Sequence, residues 1–186
     1  CAYLKDDEAK KCEEIFGSKC DAEYVPEPTI GKIQSGFVSH RSPVNLADYT
    51  IDQIISNLKS DWTPEKLNEQ FKDDDFLDRR GVEGLGDGIK EDVKKRTDEY
   101  LSKINSFFDR AEIHPAYVYS LLRSIEEMLR NKQTLNLTQI TQLLGLFEAI
   151  KNSGKETEFK RTDDKSWLAD WIEVHKVMTD ILLYVL

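Results

Sequence analysis

Three kinds of side chain in this sequence could do chemistry: thiols, imidazoles and clustered carboxylates. The thiols are Cys1, Cys12 and Cys20, all within the first twenty of 186 residues. Cysteines kept reduced in a cell usually scatter through the core as small apolar groups. Grouping in a polar N-terminal segment points instead to local stapling in an oxidising compartment. The candidate bond joins Cys12 to Cys20 or to Cys1, and the odd count leaves one thiol free or bonded outside the chain. The competing reading is three unpaired thiols on a cytosolic helix.

The histidines, His40, His114 and His175, are far apart in sequence. His175 falls on the apolar face of a helix, four residues after Trp171 and three before Met178, where a satisfied core imidazole is expected rather than a ligand. No serine or cysteine stands in a nucleophile motif. The carboxylates lie mostly on wet helix faces, where no low-dielectric pocket tunes an acid–base pair. The sequence therefore offers no catalytic residue, no metal ligand set and no cofactor motif. The run Asp73-Asp74-Asp75 is the densest group of acids, but it lacks the sixth-position glycine and twelfth-position glutamate of a calcium loop. The following glycines, Gly81, Gly84, Gly86 and Gly88, have no lysine and hydroxyl in register for a phosphate cradle. A flexible acidic linker near 72–88 is the reading left. Asp73, Asp74 and Asp75 could dock a basic partner, since residues 61–88 hold nine acids against four bases.

Two further features concern partners and modification. Asn136-Leu137-Thr138 is an N-glycosylation sequon. Asn136 also fits a helix N-cap, with Gln139 three residues on. The two roles are compatible, because capping uses the amide oxygen. Trp167 and Trp171 stand one helical turn apart, and tryptophan is enriched at interaction hot spots. Both also continue an apolar stripe, so core filling is the competing role.

Helices must position all of these groups. The stretch from Pro115 to Gly154 organises the chain. Val118, Leu121, Leu122, Ile125, Met128 and Leu129 mark one face, and Ile140, Leu143, Leu144, Phe147 and Ile150 another. Three- and four-residue steps place each set on one side of an α-helix. The two arms are expected to bury against each other and against further helices. Before them, Thr50 opens a helix with Gln53 in capping-box position and Ile51, Ile54, Ile55 and Leu58 inward. Pro64 fits the first turn of the next. From Ile89, the residues Val93, Tyr100, Leu101, Ile104, Phe107 and Phe108 predict a single helix of about twenty residues. A last helix is predicted from about Asp164 to the end. Residues 3–15 read as a short charged helix and 17–48 as an irregular arm broken by Pro26, Pro28, Gly31, Gly36 and Pro43.

The expected fold is all-α, an antiparallel bundle or a short stack of helical hairpins with about six to seven helices. Residues 1–48 form a cysteine-containing N-terminal helix and arm, and 49–186 the helical domain. A net charge of −9 opposes binding to nucleic acid or to an anionic membrane surface. No apolar run reaches the roughly 18 residues of a membrane span. Beginning without methionine and ending in the run 181–186, the chain reads as a processed or excised piece of a longer protein.

The C-terminal half resembles the helical subdomain of the autoproteolysis-inducing domain of adhesion receptors. The shared features are Leu137-Thr138 opening a helix, a variable loop, and a Trp-containing helix rich in Leu and Ile. The resemblance covers under half of the chain. The cleavage-site strands that the family requires have no counterpart, so no activity is carried over. The expectation is a non-enzymatic protein–protein interaction module, an extracellular or lumenal portion of a larger protein. The alternatives are a cytosolic helical adaptor, similar in architecture to armadillo or HEAT stacks and binding a peptide or helix, and an enzyme whose dispersed site uses His114 and nearby acids.

Overall fold

The computed structural model describes residues 40–75, 78–108, 113–154 and 168–185, all within the unit Phe37–Leu186. The described residues are all-α, with no strand among them. Seven α-helices occur: α1 (Ile51–Lys59), α2 (Pro64–Gln70), α3 (Val82–Lys95), α4 (Thr97–Ser102), α5 (Pro115–Arg130), α6 (Leu137–Asn152) and α7 (Trp171–Val185). Two short 3-10 turns, Leu46–Asp48 and Ile104–Phe107, complete the set. Of the N-terminal helix and arm expected over 1–48, residues 1–39, with the three cysteines, lie outside the described residues, and the remainder holds the 3-10 turn Leu46–Asp48.

Local rules set several of the helix starts. Thr50 Oγ1 accepts from the Gln53 N–H at 3.3 Å, and Gln53 Oε1 accepts from the Thr50 N–H at 2.9 Å. This reciprocal pair satisfies two donors that the first turn of α1 would otherwise leave bare. Thr63 caps α2 just before Pro64. The inward residues Ile51, Ile54, Ile55, Leu58 and Leu67 join one continuous core.

The centre of that core is α5. Ten of its residues are buried, around most of the rod rather than along one stripe, with Arg123, Glu127 and Arg130 on the side left open. It packs against α3 on one flank and α7 on another, whereas α6 packs against α4 and the 104–107 turn. Of the expected burial of the two arms against each other and against further helices, the second part describes the main contacts. Each arm finds its main partner elsewhere, and Leu144, expected inside, faces water.

The linker expected near 72–88 is corrected as well, because from Val82 onward it is helix α3. Gly84 and Gly86 are buried, and both sit where another group comes too close for a side chain. A Cβ at Gly84 would stand 2.0 Å from the Arg41 carbonyl oxygen, and one at Gly86 would stand 2.6 Å from Ser120 Oγ of α5. The glycines let the 41–42 backbone and α5 approach α3 closely. The 41–42 segment is held there by the Arg41 N–H, which donates to the Arg79 carbonyl at 3.1 Å.

The single helix expected from Ile89 is also corrected. It breaks at Arg96, whose ψ of 40° leaves the helical range. Arg96 Nη1 donates to the Tyr49 carbonyl at 2.9 Å and Nη2 to the Leu46 carbonyl at 3.1 Å. Its Nε donates to Asp92 Oδ1 at 3.1 Å, and Nη2 also pairs with Asp92 Oδ2. The Tyr100 hydroxyl donates to Asp92 Oδ2 at 2.7 Å. One guanidinium thus satisfies a buried carboxylate and two carbonyls about fifty residues upstream. The last helix begins at Trp171 rather than near Asp164. Asp170 stands outside it as the cap, with Oδ1 accepting from the N–H groups of Ile172 (2.8 Å) and Glu173 (3.2 Å). Residues 155–167 are outside the described residues.

Two outcomes follow for stability. Gly84→Ala should destabilise the fold by about 1–3 kcal/mol through overpacking, despite alanine's higher helix propensity. Gly145→Ala in α6, whose new Cβ meets Asn105 at an ordinary 3.5 Å, should stabilise by up to about 1 kcal/mol. Urea unfolding of the two variants reads the opposite signs, and two shifts of the same sign would refute the close-approach account. For the Arg96 network, Arg96→Gln alone should cost about 3–5 kcal/mol, because it strands the Asp92 charge. The Arg96→Gln/Asp92→Asn double variant should cost clearly less than the two singles summed, as a denaturation cycle would show.

Candidate functional site

Among the described residues, the groups singled out by their chemistry do not converge. Cys1, Cys12, Cys20 and Trp167 are outside the described residues. Of the three histidines, His40 is exposed. His175 is half-buried on α7, its Nδ1 2.6 Å from the Trp171 carbonyl one turn earlier. His114 caps α5: its Nδ1 accepts from the Ala116 N–H at 3.2 Å, just before Pro115. An imidazole accepts at that nitrogen only when the nitrogen carries no proton. Burial pushes His114 below the usual histidine value, with Glu65 acting weakly the other way. Its neutral form is therefore part of the fold.

Among the acids, Asp74 is already engaged. Its two oxygens take Arg80 Nη2 and Nε, both at 2.8 Å, and Oδ2 also accepts from the Arg80 N–H at 3.1 Å. Those bonds, side chain first, hold Asp74 well below the usual carboxylate range. Arg80 in turn lies over the Phe71 ring at 4.4 Å. Beside it, Arg41 pairs with Asp78. This charge set closes the loop after α2, so Asp74 is a structural group rather than an open docking charge. Asp73 and Asp75 are exposed. Among the described residues, no group of three or more His, Cys, Asp or Glu could hold a metal ion.

Trp171 is half-buried at the start of α7 and meets Phe108 edge to face, with centroids 5.6 Å apart. It joins α7 to the segment after the 104–107 turn. Val174, Val177, Met178 and Ile181 carry the buried face of that helix.

What lies open instead is apolar. On α6, Leu137 is 80% exposed and Leu144 39% exposed. They are seven residues apart, two turns on one face. Thr141 and Glu148 continue the same outward stripe. On α7, Leu183 is 78% exposed and Tyr184 49% exposed, beyond the last buried turn. Periodicity alone did not isolate these four, because Leu144 and the 181–186 run matched the buried pattern of their helices. The one available signal was excess, since α6 carries more apolar residues than a single inward stripe needs.

At the head of the α6 stripe stands Asn136. Its Oδ1 accepts from the Gln139 N–H at 3.0 Å, while Gln139 Oε1 accepts from the Asn136 N–H at 2.8 Å. Gln139 Nε2 donates to Asp98 Oδ1 at 2.7 Å, which ties the cap to α4. Asn136, Leu137 and Thr138 are all exposed.

No helix among the described residues is long and apolar enough to cross a membrane. No protein-family model matches the chain, and neither does any curated protein or solved structure.

The His114 cap has a pH consequence. Its folded pKa lies below the ordinary value of 6.5, so the unfolded chain takes up the proton first. Stability is full above pH 6.5 and falls as the pH drops through the interval between the unfolded and folded values. In His114→Asn, which keeps a capping oxygen, that part of the acid sensitivity should vanish. Thermal unfolding at stepped pH reads the difference, and identical slopes in the two proteins would remove His114 as its source.

Proposed function

We propose that this chain is a non-enzymatic protein–protein interaction module, an extracellular or lumenal portion of a larger protein. The observation that carries this reading is the contrast between its two kinds of side chain. Asp74, Asp92, Glu126 and His114 are tied into local caps and ion pairs, whereas the aliphatic residues Leu137 and Leu183 stand in water and Leu144 is partly open to it. Catalysis needs titratable groups converging in a dry pocket. Association needs apolar anchors that another surface can desolvate.

The occupant that fits is another protein presenting an apolar face. The outward stripe of α6 offers leucines two turns apart with polar neighbours at Thr141 and Glu148, the pattern of a small apolar centre with a wet rim. Tyr184 adds an amphipathic ring beside Leu183 on α7. The extracellular or lumenal setting is supported by the grouped cysteines and the exposed sequon. A thiol count under denaturing, non-reducing conditions on protein from its native source separates this from the cytosolic adaptor: a disulfide supports the lumenal module and three free thiols the adaptor.

The interaction itself is tested with Leu144→Glu and Leu183→Glu. Both sites are exposed, so each variant should keep the helical circular-dichroism spectrum of the parent. Affinity capture from the native source should recover a protein partner with the parent and lose it roughly tenfold or more with at least one variant, the loss expected on removing a hot-spot side chain. Undiminished capture by both variants would move the contact off these helices.

A further inference from the structure

We propose that Asn136 carries an N-linked glycan while still capping α6, an inference that rests on the lumenal reading above. The sequon Asn136-Leu137-Thr138 supplies the required residue types. The geometry supplies room and a vacant atom. All three residues are exposed, and Leu137, at 80% exposure, is left open by the described residues around the first turn of the helix. The backbone at Asn136 is extended, with φ −77° and ψ 167°. The cap uses Oδ1 alone, which accepts from the Gln139 N–H. Nδ2 is engaged by no hydrogen bond among the described residues.

The two roles therefore fall on different atoms of one amide. In the transfer, the bond between C1 of the first sugar and the phosphate oxygen of a polyprenyl-pyrophosphate-linked oligosaccharide breaks. A bond from C1 to Asn136 Nδ2 forms, one Nδ2 proton passes to a base of the transferase or to water, and the lipid pyrophosphate departs with the electron pair of the broken C–O bond. Oδ1 keeps both lone pairs, so the capping bond to Gln139 and the Gln139–Asp98 contact survive modification. The glycan then projects from the head of the α6 stripe. It leaves Leu144, two turns along the helix, open to a partner.

The test is peptide mapping of the full chain, secreted by eukaryotic cells behind a cleavable signal, before and after peptide N-glycosidase. The expected result is a glycopeptide at Asn136 that the enzyme converts to Asp. Thr138→Ala, which removes the sequon and leaves the capping oxygen, should lose the glycan in the secreted chain and keep the parent's melting temperature when both are produced in bacteria, where Asn136 stays unmodified in each. An unmodified Asn136 in the secreted chain overturns the proposal. A drop of several degrees in Thr138→Ala overturns the separation of cap from acceptor. Failure of the lumenal reading is seen elsewhere, as three free thiols in protein from its native source, so the two failures are distinguishable.

Discussion

The constraint on which the structure depends is the burial of α5 on nearly all sides. A helix with one dry face can sit at a surface. One that buries Val118, Leu121, Leu122 and Ile125 together with Ser120, Ser124 and Glu126 must be surrounded. Each fully buried Val, Leu or Ile contributes roughly 1.5–3 kcal/mol, but only if neighbours fill the space around it without voids. The polar members demand more. Ser124 Oγ donates to the Lys90 carbonyl of α3 at 2.8 Å, and Arg123 reaches Glu126 at 2.8 Å. An unpartnered hydroxyl there would cost about 1–3 kcal/mol, comparable with what a leucine contributes. The flank toward α3 is thus specified twice, by shape at Gly86 and by hydrogen bonding at Ser124.

The same logic explains the break at Arg96. A continuous helix would direct that side chain along its own surface. Leaving helical geometry lets the guanidinium reach the carbonyls of Leu46 and Tyr49 while holding Asp92. Those carbonyls belong to the first residue of the 3-10 turn that leads into α1 and to the residue after it, and Leu46 O also accepts from the Tyr49 N–H at 3.1 Å. Burial of Tyr100, followed by its bond to Asp92, raises the phenol well above its usual value, so it stays a donor at any physiological pH. Aligning Arg96, Asp92 and Tyr100 trades one turn of helix for a contact that fixes where the upstream segment lies on α3.

What could be read from the sequence, and what could not, divides along the range of the interaction. Thr50 with Gln53, Pro64, and Asn136 with Gln139 are visible in the sequence because cap and partner are three residues apart. The inward faces of α1 and α5 follow from periodicity. Gly84, Gly86 and Gly88 pointed to a linker because a glycine's reason for being in a helix lies in its neighbour, and Arg41 and Ser120 are 43 and 34 residues away. Arg96 could not be recognised as a breakpoint for the same reason. The partner of each arm of the 115–154 hairpin depends on shape, which periodicity does not encode. Leu144 matched the buried pattern and lies outside it because α6 turns toward α4 and the 104–107 turn.

That last displacement bears on what the surface can do. Scattered apolar residues on a protein surface are ordinary and need no explanation. Leu137 and Leu144 differ because they share a face, seven residues apart, on a helix whose inward side is already complete with Leu143, Leu146, Phe147 and Ile150. No further burial within the described fold is left for them to make, since turning α6 to cover them would expose Phe147 and Ile150. Leu137, at 80% exposure, makes little contribution to the core, and Leu144, at 39%, is only partly covered by it. A partner surface that desolvated this stripe would give the leucines a physical reason beyond the core, which is the basis of the interaction proposed above.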